Sequence, residues 1–191
     1  MGHRNERPLV ERAPPPIADP PSRWKIIRLA EVDSTQDVAR ALGEVGTAVV
    51  AGAQRRGRGR RGASWHSPPG GLWLSAVLPP PAPAHVQVAA AVARALRKAF
   101  SLPISVDPPN DLGLRGRKLG GVLVETSYRG EEAGPVVVGI GINVNNPLPD
   151  ELAGVATSLR EELGRPVDLG EVLALVLSAL DDFRGVRECR E

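Results

Sequence analysis

Two apolar runs, TAVVAGA at 47–53 and LWLSAVL at 72–78, bracket the segment QRRGRGRRGASWHSPPGG at 54–71. No other stretch constrains the fold as much. Short apolar runs bounded by turn residues are buried strands, so the charged segment between them must leave a sheet and return to it. Five of the seven positions from Arg55 to Arg61 are arginine, with Gly57 and Gly59 between them. Glycine lets backbone amides approach an anion closely, and arginine supplies forked donors to carboxylate or phosphate. The composition of the loop leaves three occupants open: a nucleic acid, one small anionic ligand, or solvent alone. Gly-Arg repeats that bind nucleic acid usually lie in long low-complexity segments, whereas a short loop between strands suits a small ligand. The chain carries 24 basic against 22 acidic residues, a net +2. A general polyanion binder carries a larger excess, so the arginine cluster is a local feature.

At 191 residues, 42% of them hydrophobic, the chain suits one domain with a packed core. With 3% aromatics, that core is built from Val, Leu, Ala and Ile. WKIIRLAEV reads as a first strand, and DSTQDVARAL as a helix with Asp33 or Ser34 near its N-cap. HVQVAAAVARALRKAF reads as a helix ending in Arg97 and Lys98, which its dipole favours. ISV, the turn DPPND, and the strands KLGGVLVETS and PVVVGIGINVN follow, the last two joined by the polar turn YRGEEAG. Short helical pieces come after NNPLP. In DLGEVLALVLSALDDF the apolar residues Val172, Leu173, Val176, Leu177, Leu180 and Phe183 form the face of a packed helix. The mixture lacks a regular βαβ rhythm, so the expected fold class is α+β over residues 23–184, without internal repeats.

Residues 1–22, with five prolines between Pro14 and Pro21, read as a disordered leader, and 185–191 as a C-terminal tail. The leader lacks the apolar stretch of a secretory signal, and no run reaches the roughly 18 residues of a membrane span. The one cysteine, Cys189, excludes an internal disulfide and reads as an incidental thiol in a reducing compartment. A cytoplasmic protein that engages no membrane is expected.

Of the 24 basic residues only Lys25, Lys98 and Lys118 are lysine. Lys118 follows Arg115 and Arg117, so a lysine stands where arginine is the local habit. A compact, mobile ammonium suits a reacting carboxylate or phosphate better than a planar fork. A solvated lysine at a strand end would read the same way.

Four ordered motifs between 33 and 145 match one family. GRGRRGASWHSPPGGLWLS resembles the arginine loop of the biotin protein ligases, DSTQ their STN motif, PNDLGLRGRKLGGVLVE their KWPND…KxGGILxE block, and VVVGIGINVN their GxGINVN strand. The resemblance implies a fold similar to the class II aminoacyl-tRNA synthetase core, with a mixed, mostly antiparallel sheet flanked by helices. It implies an ATP-dependent ligase that forms biotinyl-5'-AMP and then transfers biotin to a lysine of a biotin carboxyl carrier protein. Biotin and ATP are the implied substrates, with Mg²⁺ to offset charge as two anions meet. The implied biotin contacts are Ser34, Thr35, Gln36, Gln54, Gly57, Arg58, Gly59, Arg60, Lys118, Gly120 and Gly121. Arg60, Trp65, Asn110, Asp111, Lys118 and Asn143 fall on the nucleotide side, with Asp111 the metal contact and Trp65 packing on adenine. Lys118, Arg58 and Arg60 carry the implied catalysis.

The spelling departs from the family at Asp107 and Pro108, where lysine and tryptophan are usual, and at Ala63, where a basic residue is usual. These changes touch the nucleotide side, so ATP binding is expected to be weaker than biotin binding. No strand-rich segment follows the last helix, so a small C-terminal SH3-like domain is expected to be absent. The 22 residues before the domain cannot form a winged helix-turn-helix, so no DNA partner is expected, and a homodimer is left open. A lipoate–protein ligase and a degenerate biotin-binding module are the alternatives. Crowded arginines repel one another, so the 54–70 loop is expected to be mobile until ligand orders it.

Overall fold

The computed structural model describes residues 23–129 and 131–185. The expected leader 1–22, the tail beyond Gly185 and Cys189 lie outside the described residues. Each apolar run becomes a strand: β1 (Lys25–Val32), β2 (Thr47–Gln54), β3 (Leu72–Leu78), β4 (Ile104–Asp107), β5 (Asp111–Leu114), β6 (Arg117–Arg129) and β7 (Glu132–Ile142). They form one sheet in the order β1-β2-β3-β7-β6-β5-β4. Only β1 and β2 pair in parallel, and α1 (Thr35–Leu42) is the crossover between them. Every other pair is antiparallel. A single βαβ unit thus opens an otherwise antiparallel α+β sheet.

The β6–β7 connection is tighter than the seven-residue turn expected at 128–134. Tyr128 pairs with Ala133 and Arg129 with Glu132. Main-chain ladder bonds extend into the hairpin end because its backbone groups pair across the two strands whatever side chains they carry.

Side chains alternate across the sheet, and the alternation decides where the core lies. Leu72, Leu74, Ala76 and Leu78 of β3 and Val136, Val138, Ile140 and Ile142 of β7 are all buried in the larger core. Helices α2 (His85–Phe100) and α4 (Leu169–Asp181) supply the other half of that core. On α4 the expected face is the buried one: Val172, Leu173, Val176, Leu177 and Leu180 are enclosed, and Phe183 packs against them. Asp168 caps that helix, accepting from the amides of Gly170 and Glu171 at 2.6 and 3.0 Å. The two ends of the domain are clasped, as the Trp24 indole N–H donates to Asp181 at 2.9 Å and Arg184 stacks on its ring at 4.6 Å.

The opposite face is covered differently. Helix α1 presses Ala39 onto Val49, Val77 and Val137, a small second cluster. At eight residues α1 is too short to roof the whole face. Past Val77 and Val137, the same face presents Ser75 on β3, Gly139 and Gly141 on β7, and Gly121 on β6. A sheet face paved with serine and glycine has no side chains to fill the space above it.

Candidate active site

The cavity over this bare patch holds about 260 Å³. Its floor is Ser75, Gly121, Gly139 and Gly141, one wall is the start of α1, and its cover is the arginine loop. The two glycines of GIG fall two residues apart, hence on one face. A Cβ at Gly139 would meet the Gln36 Oε1 at 2.6 Å, and one at Gly141 the Trp65 Nε1 at 2.6 Å. Glycine is therefore required at both positions for the Gln36 and Trp65 side chains to lie on the strand.

A chain of neutral polar groups occupies the end near α1. The Gln54 Oε1 accepts from the Thr35 amide at 2.9 Å and the Thr35 hydroxyl at 3.1 Å, which fixes its amide orientation, and its Nε2 donates to Ser67 at 2.9 Å. The Thr35 hydroxyl meets Ser75 at 2.8 Å, Ser75 donates to the Gln36 Oε1 at 2.9 Å, and Gln36 donates to the Val137 carbonyl at 3.1 Å. Ser34 sits at the N-cap of α1, is buried, and makes no side-chain cap bond. Ser34 borders the cavity.

Cations gather at the other end. Lys118 on β6 lies 2.7 Å from the Asp111 carboxylate on β5, and its ammonium sits over the Trp65 ring at 5.1 Å from the centroid. Trp65 keeps a buried indole N–H with no hydrogen-bond partner, a group that an acceptor on an incoming ligand would satisfy. Arg60 donates to Asn110 at 3.3 Å, and Asn110 is tied to the Val122 carbonyl at 3.0 Å. Arg58, by contrast, stays at the α1 end, where it pairs with Asp37 through two donors, one at 2.7 Å. That hydrogen bond holds the Asp37 carboxyl below its usual range against the opposing effect of partial burial, and raises the Arg58 guanidinium in turn. His85, at the start of α2, is pushed down first by burial and then by the positive charge of Arg60.

The loop is seated rather than splayed. Its arms pair through Gln54–Ser67 and Arg58–Ser64 bridges, and Trp65 donates its amide to the Gly57 carbonyl at 2.9 Å. Acids from the strand and helix beside the loop face two of its arginines, Arg55 and Arg58. Arg55 meets Asp33 at 2.9 Å and Glu31 at 3.9 Å, and Asp37 takes Arg58. Parallel pairing of β1 with β2 places residues 31–37 beside the base of the loop, where Arg55 and Arg56 donate to the carbonyls of Val32 and Asp33.

Ser34, Thr35, Gln36, Gln54, Arg58, Gly59, Arg60, Trp65, Asn110, Asp111, Lys118 and Gly121 all border this one cavity. Three expected positions do not. Gly57 is where the arms of the loop touch, since a Cβ there would lie 2.6 Å from the Ser67 hydroxyl and the Trp65 carbonyl. Gly120 faces the other side of β6, where its Cβ would strike the Gly141 carbonyl at 2.6 Å and approach Leu112. Asn143 is buried with its amide donating to the Thr157 carbonyl at 3.1 Å and its oxygen accepting from Asn146 at 3.2 Å, so it braces the chain after β7. Ser75, Gly139 and Asp37 had escaped notice. A serine amid LWLSAVL and the two glycines of GIG, read at the strand period, carry the signal for the first two. Asp107 does not border the cavity: its carboxylate accepts from Ser105 at 3.2 Å and packs over Gly113, directly across the strand pair from Asp111. Among the described residues no group of three or more His, Cys, Asp or Glu could hold a metal ion, and no helix is long and apolar enough to cross a membrane.

Residues 29–143 match the model of the biotin/lipoate A/B protein ligase family. The bifunctional ligase/repressor BirA of Bacillus subtilis is 36% identical over 160 residues, which cover 76% of this chain and 49% of that protein. The biotin–[acetyl-CoA-carboxylase] ligase of Paracoccus denitrificans is 37% identical over 169 residues, covering 79% of this chain and 69% of that protein. Among solved structures, the biotin protein ligase of Aquifex aeolicus in complex with biotin and ATP superposes with a TM-score of 0.75 at 38% identity, over 83% of this chain and 69% of that one. The chain spans about half the length of the bifunctional relatives it matches.

Proposed function

The chain belongs to the biotin/lipoate A/B protein ligase family, and from that premise we propose that it activates biotin with ATP and transfers it to a biotin carboxyl carrier protein. The reading rests on one observation: a single cavity has a neutral hydrogen-bonding end and a cationic end. Biotin has the same two ends, a ureido ring and a carboxylate. Ser34, Thr35, Gln36 and the Gln54–Ser75 chain offer donors and acceptors to the ring. Lys118 and Arg60, and Arg58 once released from Asp37, offer positive charge to the carboxylate and to the phosphates.

In the first step a biotin carboxylate oxygen attacks the α-phosphorus, the bond to pyrophosphate breaks, and biotinyl-5'-AMP remains. Two anions must meet for this to happen, so preorganised cations lower the barrier. Lys118 turns from Asp111 toward the carboxylate and the α-phosphate, and Trp65 lies flat where adenine can stack. Mg²⁺ would neutralise the polyphosphate. It is usually held by one or two carboxylates together with the phosphates themselves, and Asp111 is the one carboxylate bordering the cavity. In the second step the acceptor lysine's uncharged amine attacks the anhydride carbonyl, AMP leaves, and the amine loses a proton. The arginine loop, folded over the cavity, shields the anhydride from water. Residues 23–184 are the catalytic domain in this reading.

The same fold class serves lipoate. A dithiolane ring has no N–H or C=O to exchange hydrogen bonds with this polar end, and a site built to bond such groups rejects an analogue that lacks them by orders of magnitude in rate. The experiment is pyrophosphate release with ATP and either acid. Biotin-dependent release, with lipoate at least about 100-fold slower, supports the reading; release with lipoate alone reverses it.

A further inference from the structure

Lys118 is held from behind by groups that never touch the cavity. Its amide donates to the Val155 carbonyl at 2.8 Å, and its carbonyl accepts from the Thr157 amide at 2.9 Å. The 155–157 segment thereby adds a short parallel bridge at Ala156 to the start of β6. What fixes this segment is Glu162 on α3 (Leu159–Leu163). Its side chain is 2% exposed, the most enclosed acid among the ion pairs of the described residues. The Glu162 carboxylate accepts from the Thr157 hydroxyl at 3.0 Å and from Arg117 at 2.6 Å, and Arg115 approaches at 3.4 Å. Arg117 also pairs with Glu161. One buried carboxylate therefore grips both Arg117, next to Lys118 in the chain, and Thr157, whose backbone binds Lys118.

We propose that Glu162 is a positioning residue for Lys118, setting the place of its ammonium through Arg117 and Thr157. Burying a carboxylate is costly unless every partner is present, and this one has three. The helix that carries it, only five residues long, is thereby fastened to the strand that carries Lys118. The neutral polar end of the cavity is built on α1, β2 and β3, and is untouched by this clamp. Loss of the clamp should therefore slow the chemistry while leaving recognition of the ring in place. The inference rests on the reading of Lys118 as the cation that meets the reacting carboxylate.

The test is Glu162→Gln in the full chain, which keeps shape and removes the charge. Adenylation is followed by single-turnover pyrophosphate release, biotin affinity by calorimetry, and Lys118 directly by ¹³Cε-lysine NMR, where the three lysines give three signals. Expected is a fall in adenylation of about 10- to 100-fold, the scale on which outer supporting groups and small misplacements act. Biotin Kd should change by less than about threefold, under half of the 1.4 kcal/mol that a tenfold change represents. The Lys118 signal should move, and those of Lys25 and Lys98 should not. An unmoved Lys118 signal with unchanged turnover overturns the proposal, as does loss of biotin affinity in parallel with turnover. If Glu162→Gln does not fold, Thr157→Val removes one arm at constant volume. That variant should show the same split, and wild-type turnover in it overturns the proposal equally. Wild-type protein that releases no pyrophosphate with biotin and ATP would instead refute the ligase reading, while the NMR comparison would still decide the clamp.

Discussion

Lys118 lines the cavity, and two acids outside its lining, Asp37 and Asp107, bear on the charge around it. Lys118 has Asp111 as its partner and Trp65 beneath it, and no other lysine is near. Lys118→Ala should lower adenylation by about 10²–10³-fold, the scale for losing one preorganised charge-stabilising group. The fold should persist, because the side chain is 40% exposed; pyrophosphate release and thermal unfolding check the two halves of that statement. Asp37 titrates lower in the folded chain than in the unfolded one, chiefly because Arg58 donates to it. As pH falls below the ordinary value of 3.8, the unfolded chain takes up the proton first. The stabilisation is thus complete above that value and lost through the lowered folded value. For a pair this exposed it amounts to about 0.2–1 kcal/mol. Urea unfolding of wild type and Asp37→Asn should differ by that amount at pH 7 and converge as pH falls through the lowered folded value; a gap that persists in strong acid would contradict the pairing. Asp107 stands across the strand pair from Asp111 and, although outside the cavity, adds a second negative charge near the end proposed for the nucleotide. At roughly 8 Å and a dielectric of about 20, one unit charge acting on another is worth about 2 kcal/mol before screening. Asp107→Lys should tighten ATP severalfold in calorimetry and leave biotin unchanged. Unchanged ATP affinity would mean that other residues hold the triphosphate.

At the scale of elements, periodicity made most of the architecture legible. The apolar runs of β2, β3 and β7 and the helical faces of α2 and α4 lie where burial requires them. What was not legible is what depends on which strands become neighbours. The acids Glu31, Asp33 and Asp37 look like ordinary surface residues in sequence, and only the parallel β1–β2 register sets them against Arg55 and Arg58. In the same way Gly120 and Gly121 are alike in sequence, yet strand alternation sends Gly120 to the core and Gly121 to the cavity. Gly139 offers the sharpest test of the floor. A methyl group there collides with Gln36, which would lose its bonds to Ser75 and Val137. Gly139→Ala should cost about 1–3 kcal/mol of stability as an overpacking change. By calorimetry it should weaken biotin more than about tenfold with ATP affinity kept. Biotin binding at wild-type strength would show that the ring sits elsewhere.

At the scale of the whole molecule, the unequal cover of one sheet creates the site. Two long helices fill one face, and one short helix leaves the far half of the other to a loop from the adjoining β2–β3 connection. In the proposed function that geometry would hold a small acid under the loop while a protein-borne lysine reaches it from the open side. The central claim is that this chain alone carries out both steps, and the most direct measurement uses a carrier domain as acceptor. The chain is incubated with biotin, ATP, Mg²⁺ and a biotin carboxyl carrier domain, and the carrier is analysed by mass spectrometry. The expected result is one biotinyl group on one lysine, dependent on ATP and lost with Lys118→Ala. A carrier left unmodified while biotin binds tightly to the cavity would contradict the claim, and would make the chain a biotin-binding module instead of a ligase.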